Sequence, residues 1–202
     1  MGRSLVNTLT IKPPRELVQF LDDPPLVGEE TPGDYYNLFS AIVISAKPAD
    51  AIDWLYIKSV VDLTWEIRRE QAVKASIIKL KQKEIVLELL KTSCEAETPL
   101  DESLYRIFRA DDELRLWEID SAARKLIDDK LAARGYPISE VLARAYINGA
   151  SQIDAVDRRI ASYEARRMTV LREIERRNEK FARQLEKASS DIIDAEFSEA
   201  AE

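Results

Sequence analysis

The sequence predicts an all-α protein, an elongated helical bundle in which long helices pack antiparallel in the manner of a coiled coil. Apolar residues recur at intervals of three and four along most of the chain, which is the spacing of one helix face. No segment alternates apolar and polar residues over the length of a strand, so no sheet is expected. Residues 49–92 contain neither glycine nor proline, which favours one very long helix.

Residues 1–30 predict an N-terminal arm that packs only in places, because proline and glycine interrupt them repeatedly. A helix is then expected from Pro32, since Thr31 supplies a hydroxyl N-cap and Asp34 places a carboxylate three residues later. Helical spacing gives this helix a continuous apolar face. That face consists of Tyr35, Leu38, Phe39, Ile42, Val43 and Ala46.

Pro48 is expected to end this helix and open the next, whose positive end is met by Asp50 and Asp53. The rod that follows carries an apolar stripe that should be buried, with an interruption at residues 68–71. The stripe consists of Trp54, Ile57, Val61, Trp65, Val73, Ile77, Leu80 and Leu87.

A third helical region is expected from Thr98, which opens a second Thr-Pro-x-Asp motif, through Ile107. Residues 111–113 are all acidic, which predicts a break and a new helix N-terminus there. Gly135 followed by Pro137 predicts the end of this region. Its apolar positions are Leu116, Ile119, Ala123, Leu126, Ile127 and Leu131.

A short helix over residues 139–147 is expected to stop at Asn148-Gly149, after which a Ser-x-x-Asp motif at Ser151 caps the last helix. The apolar residues of that helix place Arg167 at a core position and slip by one near Asn178. This pattern predicts a heptad seam with a stutter. The seam runs through Ile153, Val156, Ile160, Tyr163, Val170, Ile174, Phe181, Leu185 and Ile192.

Three segments are therefore expected: an arm over residues 1–30, a helical domain over residues 31–187 and an acidic tail over residues 188–202. The net charge of −7 is unevenly distributed. Residues 157–187 carry ten basic and six acidic side chains, whereas the tail has five acidic side chains and no basic one. The tail could compete with an anionic partner for the basic helix.

The composition excludes several kinds of site. The chain has no histidine, which excludes Ser-His and Cys-His catalytic pairs, and its one cysteine cannot form an internal disulfide or a thiolate zinc site. Five scattered glycines cannot build a phosphate-binding loop. We therefore expect no catalytic residue, no metal site, no cofactor and no enzymatic activity.

Asp62 and Glu66 are the strongest acid–base candidates, since they lie four residues apart beside Trp65. A carboxylate beside an indole can have a raised pKa and a catalytic role. The favoured interpretation is an ordinary ion-paired helix face. The cations within reach are Lys58, Arg68 and Arg69.

The last helix carries a row of cations with the spacing to follow a phosphate backbone. Residues 159, 166 and 177 are separated by seven and eleven positions, which brings them near one face. The favoured alternative is a solvated flank on which arginines alternate with glutamates. The nucleic-acid-binding candidates are Arg158, Arg159, Arg166, Arg167, Arg176, Arg177, Lys180 and Arg183.

Two tryptophans lie three helical turns apart on one side of the long rod. Core packing is the favoured interpretation, and an exposed stripe that anchors a partner is the alternative. The candidates for a protein interface are Trp54, Trp65, Tyr163 and Phe181.

The N-terminus lacks the apolar core of a signal peptide, and the longest strongly apolar neighbourhood, residues 38–46, is too short to span a membrane. A cytoplasmic protein without membrane contact is expected.

Seven short segments carry a resemblance: Leu26-Val-Gly-Glu-Glu, Asp34-Tyr-Tyr-Asn-Leu-Phe, Lys47-Pro-Ala-Asp, Val60-Val-Asp-Leu-Thr-Trp-Glu-Ile-Arg-Arg, Ser162-Tyr-Glu-Ala-Arg-Arg, Leu171-Arg-Glu-Ile-Glu-Arg and Asp194-Ala-Glu-Phe. They resemble a group of helix-rich bacterial proteins from environmental and plant-associated species, over most of the chain from about residue 20. No activity is known for that group. The resemblance therefore implies a cytoplasmic, helix-rich bacterial protein and assigns no functional residue.

Together these features favour a non-enzymatic protein–protein interaction or assembly protein. Long amphipathic helices in 202 residues leave apolar surface uncovered unless a second chain joins, so a homodimer is expected. The alternative is a weak nucleic-acid-binding protein that uses the basic last helix and is modulated by the acidic tail.

Overall fold

The computed structural model describes the backbone of residues 11–21, 24–97 and 103–199, and the side chains of residues 11–21, 24–92, 109–180 and 183. These ranges contain helices and no strand, so the predicted all-α class is confirmed. The cap expected at Thr98 lies outside them, as do the side chains of Phe181, Leu185, Ile192 and the acidic tail. A 3-10 turn at Arg15–Leu17 is followed by α1 (Val18–Leu21), α2 (Pro32–Ala46), α3 (Ala51–Glu97), α4 (Ser103–Ile119), α5 (Ser121–Ala133) and α6 (Ile138–Glu199).

The chain divides into two compact units, unit 1 over residues 1–68 and 160–202 and unit 2 over residues 69–159. The core of unit 1 is an aromatic cluster from the arm, α2 and the first half of α3. Within it, the rings of Phe39 and Trp54 stack with their centroids 6.4 Å apart. The buried members are Leu21, Tyr35, Phe39, Val43, Trp54, Ile57, Val61 and Trp65.

The core of unit 2 joins the last turns of α3 to α4, α5 and the start of α6. The sequence predicted that the apolar stripe in the second half of α3 is buried, and this is wrong. Val73 and Leu80 are exposed, and Ile77 and Leu87 are half-buried. Burial is concentrated where α4 and α5 pack. The buried members are Ile85, Val86, Leu89, Leu90, Ala110, Trp117, Ile127, Leu131, Val141 and Ala145.

Helix α2 begins and ends where the sequence predicts. The hydroxyl of Thr31 accepts a hydrogen bond from the amide of Asp34 at 3.4 Å, and Pro32 occupies the first turn. At the other end Lys47 adopts a left-handed φ of 48°, and its amide donates to the carbonyl of Val43 at 2.9 Å.

Helix α3 begins at Ala51, slightly later than predicted. One carboxylate oxygen of Asp50 accepts hydrogen bonds from the amides of Ile52 and Asp53, both at 2.9 Å. Asp53 reaches back and accepts the amide of Ala49 at 3.0 Å. These reciprocal bonds satisfy amides that have no partner inside the helix, which places the helix start after Asp50.

The predicted break at residues 111–113 is wrong, because α4 runs through them to Ile119. The chain turns instead at Asp120, whose Oδ1 accepts the amides of Ala122 at 2.8 Å and Ala123 at 3.2 Å and caps α5. The turn also changes which apolar positions are buried. Ile127 and Leu131 are buried as expected, whereas the exposed positions are Leu116, Ile119 and Leu126.

The predicted stop at Asn148-Gly149 and the cap at Ser151 are also wrong, because α6 is continuous through both. Gly149 lies against α3 within unit 2. A Cβ built there meets Cδ1 of Ile153 at 3.3 Å, and Cγ2 of Ile77 and Cγ of Lys81 at 3.5 Å. Gly149 therefore lies at a packed contact between α6 and α3 and does not end a helix.

Among the residues described, no helix is both long enough and apolar enough to cross a membrane.

Candidate functional site

A groove in unit 1, hereafter the unit 1 groove, lies between α3 and α6 and has a volume of about 420 Å³. Helix α3 contributes its charged and hydroxyl side chains at positions one turn apart, and α6 contributes the facing wall. The lining residues are Ser59, Asp62, Leu63, Glu66, Tyr163, Arg166 and Val170. The groove therefore brings together the two carboxylates and one of the arginines that the sequence pattern singled out.

Asp62 is fixed in place by two neighbours. The hydroxyl of Tyr35 donates to its Oδ1 at 2.5 Å, and the Lys58 ammonium donates to both carboxylate oxygens at 2.6 and 2.7 Å. The ion-pair interpretation is thus confirmed for Asp62. Tyr35 is fully buried, and burial together with the hydrogen bond to Asp62 raises the pKa of its phenol far above the usual value.

The indole N–H of Trp65 forms its hydrogen bond with the N-terminal arm and not with Asp62 or Glu66. It donates to Oε2 of Glu30 at 2.9 Å, and the same oxygen accepts the amide of Val27 at 3.0 Å. The guanidinium of Arg68 lies 5.2 Å from the centre of the indole ring. Trp65 therefore anchors the arm to α3.

The start of α3 is joined to α6 through Arg177, within unit 1. Its guanidinium donates to Oδ1 of Asp53 at 3.0 Å and to Oδ2 of Asp50 at 2.5 Å. Burial alone would raise the pKa of Asp53, but hydrogen bonds from Ala49 and Arg177 outweigh it, and the pKa lies below its usual value. The hydrogen bond that Arg177 donates to Asp53 is likewise the largest cause of the raised pKa of Arg177.

The inward face of α6 in unit 1 follows an unbroken heptad pattern. Six successive positions spaced three and four apart are half-buried, and most of their neighbours are exposed. Arg167 occupies one of them, as the sequence predicts, and approaches the hydroxyl of Thr64 at 3.5 Å. Arg177 occupies another, so no stutter is needed up to that point. The six are Ile160, Tyr163, Arg167, Val170, Ile174 and Arg177.

Most of the predicted nucleic-acid-binding row is engaged with the protein itself. Arg159 forms a bidentate pair with Glu70 at 2.7 and 2.9 Å, and Arg158 donates to the carbonyl of Asp154 at 3.3 Å. Arg166 and Lys180 have no ion pair with any residue that the structure describes. The remaining pairs are Arg176 with Glu173, Arg177 with Asp53 and Asp50, and Arg183 with Glu179.

The two tryptophans are covered by the chain itself, so the favoured interpretation, core packing, is confirmed and the alternative of an exposed partner-binding stripe is wrong. Trp54 is 2% exposed and Trp65 is 4% exposed, and both pack in the core of unit 1. Because their rings are buried, neither can anchor a partner on the surface of this unit. Tyr163 lines the unit 1 groove instead.

Unit 2 has exposed apolar side chains, some of which lie at positions that the helical spacing predicted to be buried. Ile119 is 82% exposed, Leu126 71% and Ile147 73%. On α6, Ile138, Leu142 and Tyr146 recur every four residues and so share one face. These three residues are hereafter the α6 apolar face.

No group of three or more acidic or cysteine side chains that could hold a metal ion occurs in the described part of the chain. No family model, curated protein or solved structure matches the chain.

The sequence pattern missed the involvement of Tyr35 and Arg166 in a common site with Asp62. A buried tyrosine normally needs a partner for its hydroxyl, so the burial predicted for Tyr35 did imply a polar neighbour. Nothing in the local sequence identifies that neighbour, which lies 27 residues away on another helix.

Proposed function

We propose that the protein is a non-enzymatic assembly protein that associates with a second copy of itself through unit 2. The observation that carries the proposal is the α6 apolar face. It lies beside Val141 and Ala145, which are fully buried in the core of unit 2. The apolar surface of α6 is thus wider than the part that its own unit covers.

A second copy of the chain is the simplest cover for such a face. In a two-fold dimer the same patch serves both partners, so an apolar face meets an apolar face. Scattered exposed leucines are normal on a monomer, but apolar residues repeated along one helix face form a continuous surface. Burying such a surface is favourable at roughly 25 cal/mol per Å² of apolar area.

The proposal includes an antiparallel coiled-coil arrangement of α3 and α6 within unit 1. Asp53 pairs with Arg177, whereas Thr64, further along α3, pairs with Arg167, which comes earlier on α6. This order of contacts supports two helices that run in opposite directions. The heptad spacing of the half-buried positions on α6 supports the coiled-coil packing.

Nucleic-acid binding is the less favoured function, because most of the cations that would carry it already have partners within the protein. Arg159 and Arg177 are held by carboxylates of α3, and Arg176 and Arg183 by glutamates of α6 itself. A phosphate backbone would have to displace those carboxylates before it gained any contact.

The test is the oligomeric state, measured by light scattering across a concentration series. We expect the wild-type chain to have the mass of a dimer at micromolar concentration. Leu142→Lys combined with Tyr146→Lys should shift the protein to the mass of a monomer. The matched control is Ile52→Lys combined with Leu55→Lys, since these residues of unit 1 are comparably exposed, at 48% and 46%, and should leave the dimer intact.

A monomeric mass for the wild-type chain at the highest concentration would overturn the proposal. So would equal dissociation by the two double variants, because unit 2 would then have no special role. Circular dichroism of each variant separates loss of association from loss of folding.

A further inference from the structure

We propose that the unit 1 groove binds a free α-amino acid with an apolar side chain. The inference is independent of self-association, since the groove belongs to unit 1 and the α6 apolar face to unit 2. It rests on three properties of the lining residues: opposite charges on opposite walls, hydrogen-bond acceptors in a row on α3, and an apolar patch between them.

The two walls carry opposite charges. Helix α3 presents the carboxylates of Asp62 and Glu66, and α6 presents the guanidinium of Arg166. The Asp62 carboxylate is already paired with Lys58. Although all three line one groove, Arg166 makes no ion pair or hydrogen bond with any residue in the described ranges. A ligand with only a negative charge would be repelled by the two carboxylates, and a ligand with only a positive charge would be repelled by the guanidinium. A molecule with both charges matches both walls.

The α3 wall suits an ammonium group, which has three N–H donors. Ser59, Asp62 and Glu66 lie on consecutive turns of one helix. The hydroxyl of Ser59 donates its hydrogen to the carbonyl of Leu55 at 2.9 Å, which leaves the oxygen as an acceptor. Asp62 keeps a fixed orientation through Tyr35 and Lys58, so little ordering is needed when a ligand binds.

The α6 wall suits a carboxylate, because a guanidinium binds carboxylates through two parallel hydrogen bonds. The rest of the lining is apolar or aromatic: Leu63 is 8% exposed, and Val170 and Tyr163 are half-buried. These three residues would contact an aliphatic side chain. The volume of about 420 Å³ lies in the range of small-molecule sites, about 300–1,000 Å³.

The ligand test uses L-leucine and two molecules that each keep one half of its charge. 4-Methylpentanoate lacks the ammonium group, and 3-methylbutylamine lacks the carboxylate. Titration of the full-length chain, followed by calorimetry or by NMR shifts of the tyrosine rings, should give saturable leucine binding. Each half-ligand should bind at least about tenfold more weakly, because it makes charged contacts with one wall of the groove only.

The variant test uses Arg166→Gln, which should weaken leucine binding at least about tenfold. Arg172→Gln is the matched control, since Arg172 is an exposed arginine of α6 that does not line the groove. Glu66→Gln probes the other wall without disturbing the bonds of Tyr35 and Lys58 to Asp62, and it too should weaken binding. Unfolding midpoints close to wild type show that each variant is folded.

Three results would overturn the inference. The first is no saturable signal with L-leucine at millimolar concentration. The second is equal binding of leucine and both half-ligands. The third is an Arg166→Gln variant that binds like Arg172→Gln. A dimer that persists in any of these cases would leave the proposed assembly function in place.

Discussion

The hydroxyl of Tyr35, at the start of α2, donates a hydrogen bond to Oδ1 of Asp62 in the middle of α3 over 2.5 Å. The ring of Tyr35 is fully buried, and it also contacts Trp65 edge-on with the ring centres 5.5 Å apart. One side chain therefore links the aromatic core of unit 1 to the charged edge of its groove.

Tyr35→Phe is expected to destabilise the protein by about 1.5–3 kcal/mol, the usual cost of losing a hydrogen bond to a charged group. The ring stays in the core, so the change isolates the hydroxyl. The measurement is the free energy of unfolding in denaturant. Tyr56→Phe is the control, because that half-buried hydroxyl makes no hydrogen bond to any described residue, and its effect should stay within about 0.5 kcal/mol. Equal effects of the two changes would contradict the role given to Tyr35.

Alkaline pH should destabilise the folded chain through the same phenol. Tyr35 has a folded pKa far above the value of about 10 that it has when unfolded. Its contribution is therefore fully present below about pH 10 and is lost as the pH rises further, because only the unfolded state then ionises. Unfolding free energies measured upward from pH 9 should fall more steeply in the wild type than in Tyr35→Phe. Parallel curves would show that Tyr35 ionises freely.

Acid pH should act on Asp53, whose folded pKa is depressed. Such a carboxylate stabilises the fold above its unfolded pKa of about 4, and this stability is lost as the pH falls through the lower folded value. The variant Arg177→Gln removes one cause of the lowered pKa of Asp53. Its loss of stability between about pH 5 and pH 2 should therefore be smaller than in the wild type. Arg172→Gln should retain the wild-type profile. A wild-type profile for Arg177→Gln would show that the pair does not form in solution.

Gly149 should tolerate alanine but not a larger side chain. Alanine favours a helix interior by about 1 kcal/mol over glycine, and the atom closest to its Cβ would be the flexible end of the Ile153 side chain at 3.3 Å. We therefore expect Gly149→Ala to be neutral or to stabilise by up to about 1 kcal/mol. Gly149→Leu should destabilise by about 1–3 kcal/mol, because it overpacks the contact with Ile77 and Lys81. Thermal unfolding of the two variants distinguishes these effects, and a stable leucine variant would contradict the close approach.

Asp120→Ala should destabilise unit 2 by about 0.5–2 kcal/mol, because it removes the acceptor for two amides at the start of α5. Asp129→Ala is a fair control, since Asp129 is an exposed aspartate inside the same helix and should matter by less than about 0.5 kcal/mol. Denaturant unfolding measures both. If the two changes have the same effect, Asp120 is not the cap.

Local chemistry explains the parts of the fold that could be predicted. Thr31 caps its own helix three residues away, and Gly135 follows the last turn of α5 with a φ of 89°, so both signals act within a few residues. Asp120 and residues 111–113 present similar acidic signals, but α4 continues through the latter and only Asp120 caps a helix.

Longer-range features could not be predicted because the deciding neighbour is distant in sequence. Gly149 resembles a helix stop until Ile77 is placed against it. Arg167 was correctly placed on the seam by its spacing, but its partner Thr64 is 103 residues away. The unit 1 groove likewise depends on the pairing of two helices, which periodicity alone does not define.

Unit 1 is built from both ends of the chain, and all of unit 2 is synthesised in between. Every buried residue of its aromatic cluster precedes residue 66, so that cluster can form early on a nascent chain. The partner of Asp53, by contrast, is Arg177, which lies 124 positions later in the chain. At a synthesis rate of about 5–20 residues per second, that wait is roughly 6–25 s. During that interval every buried residue of the aromatic cluster is already part of the chain, whereas the carboxylates at the start of α3 still lack the guanidinium that pairs with them.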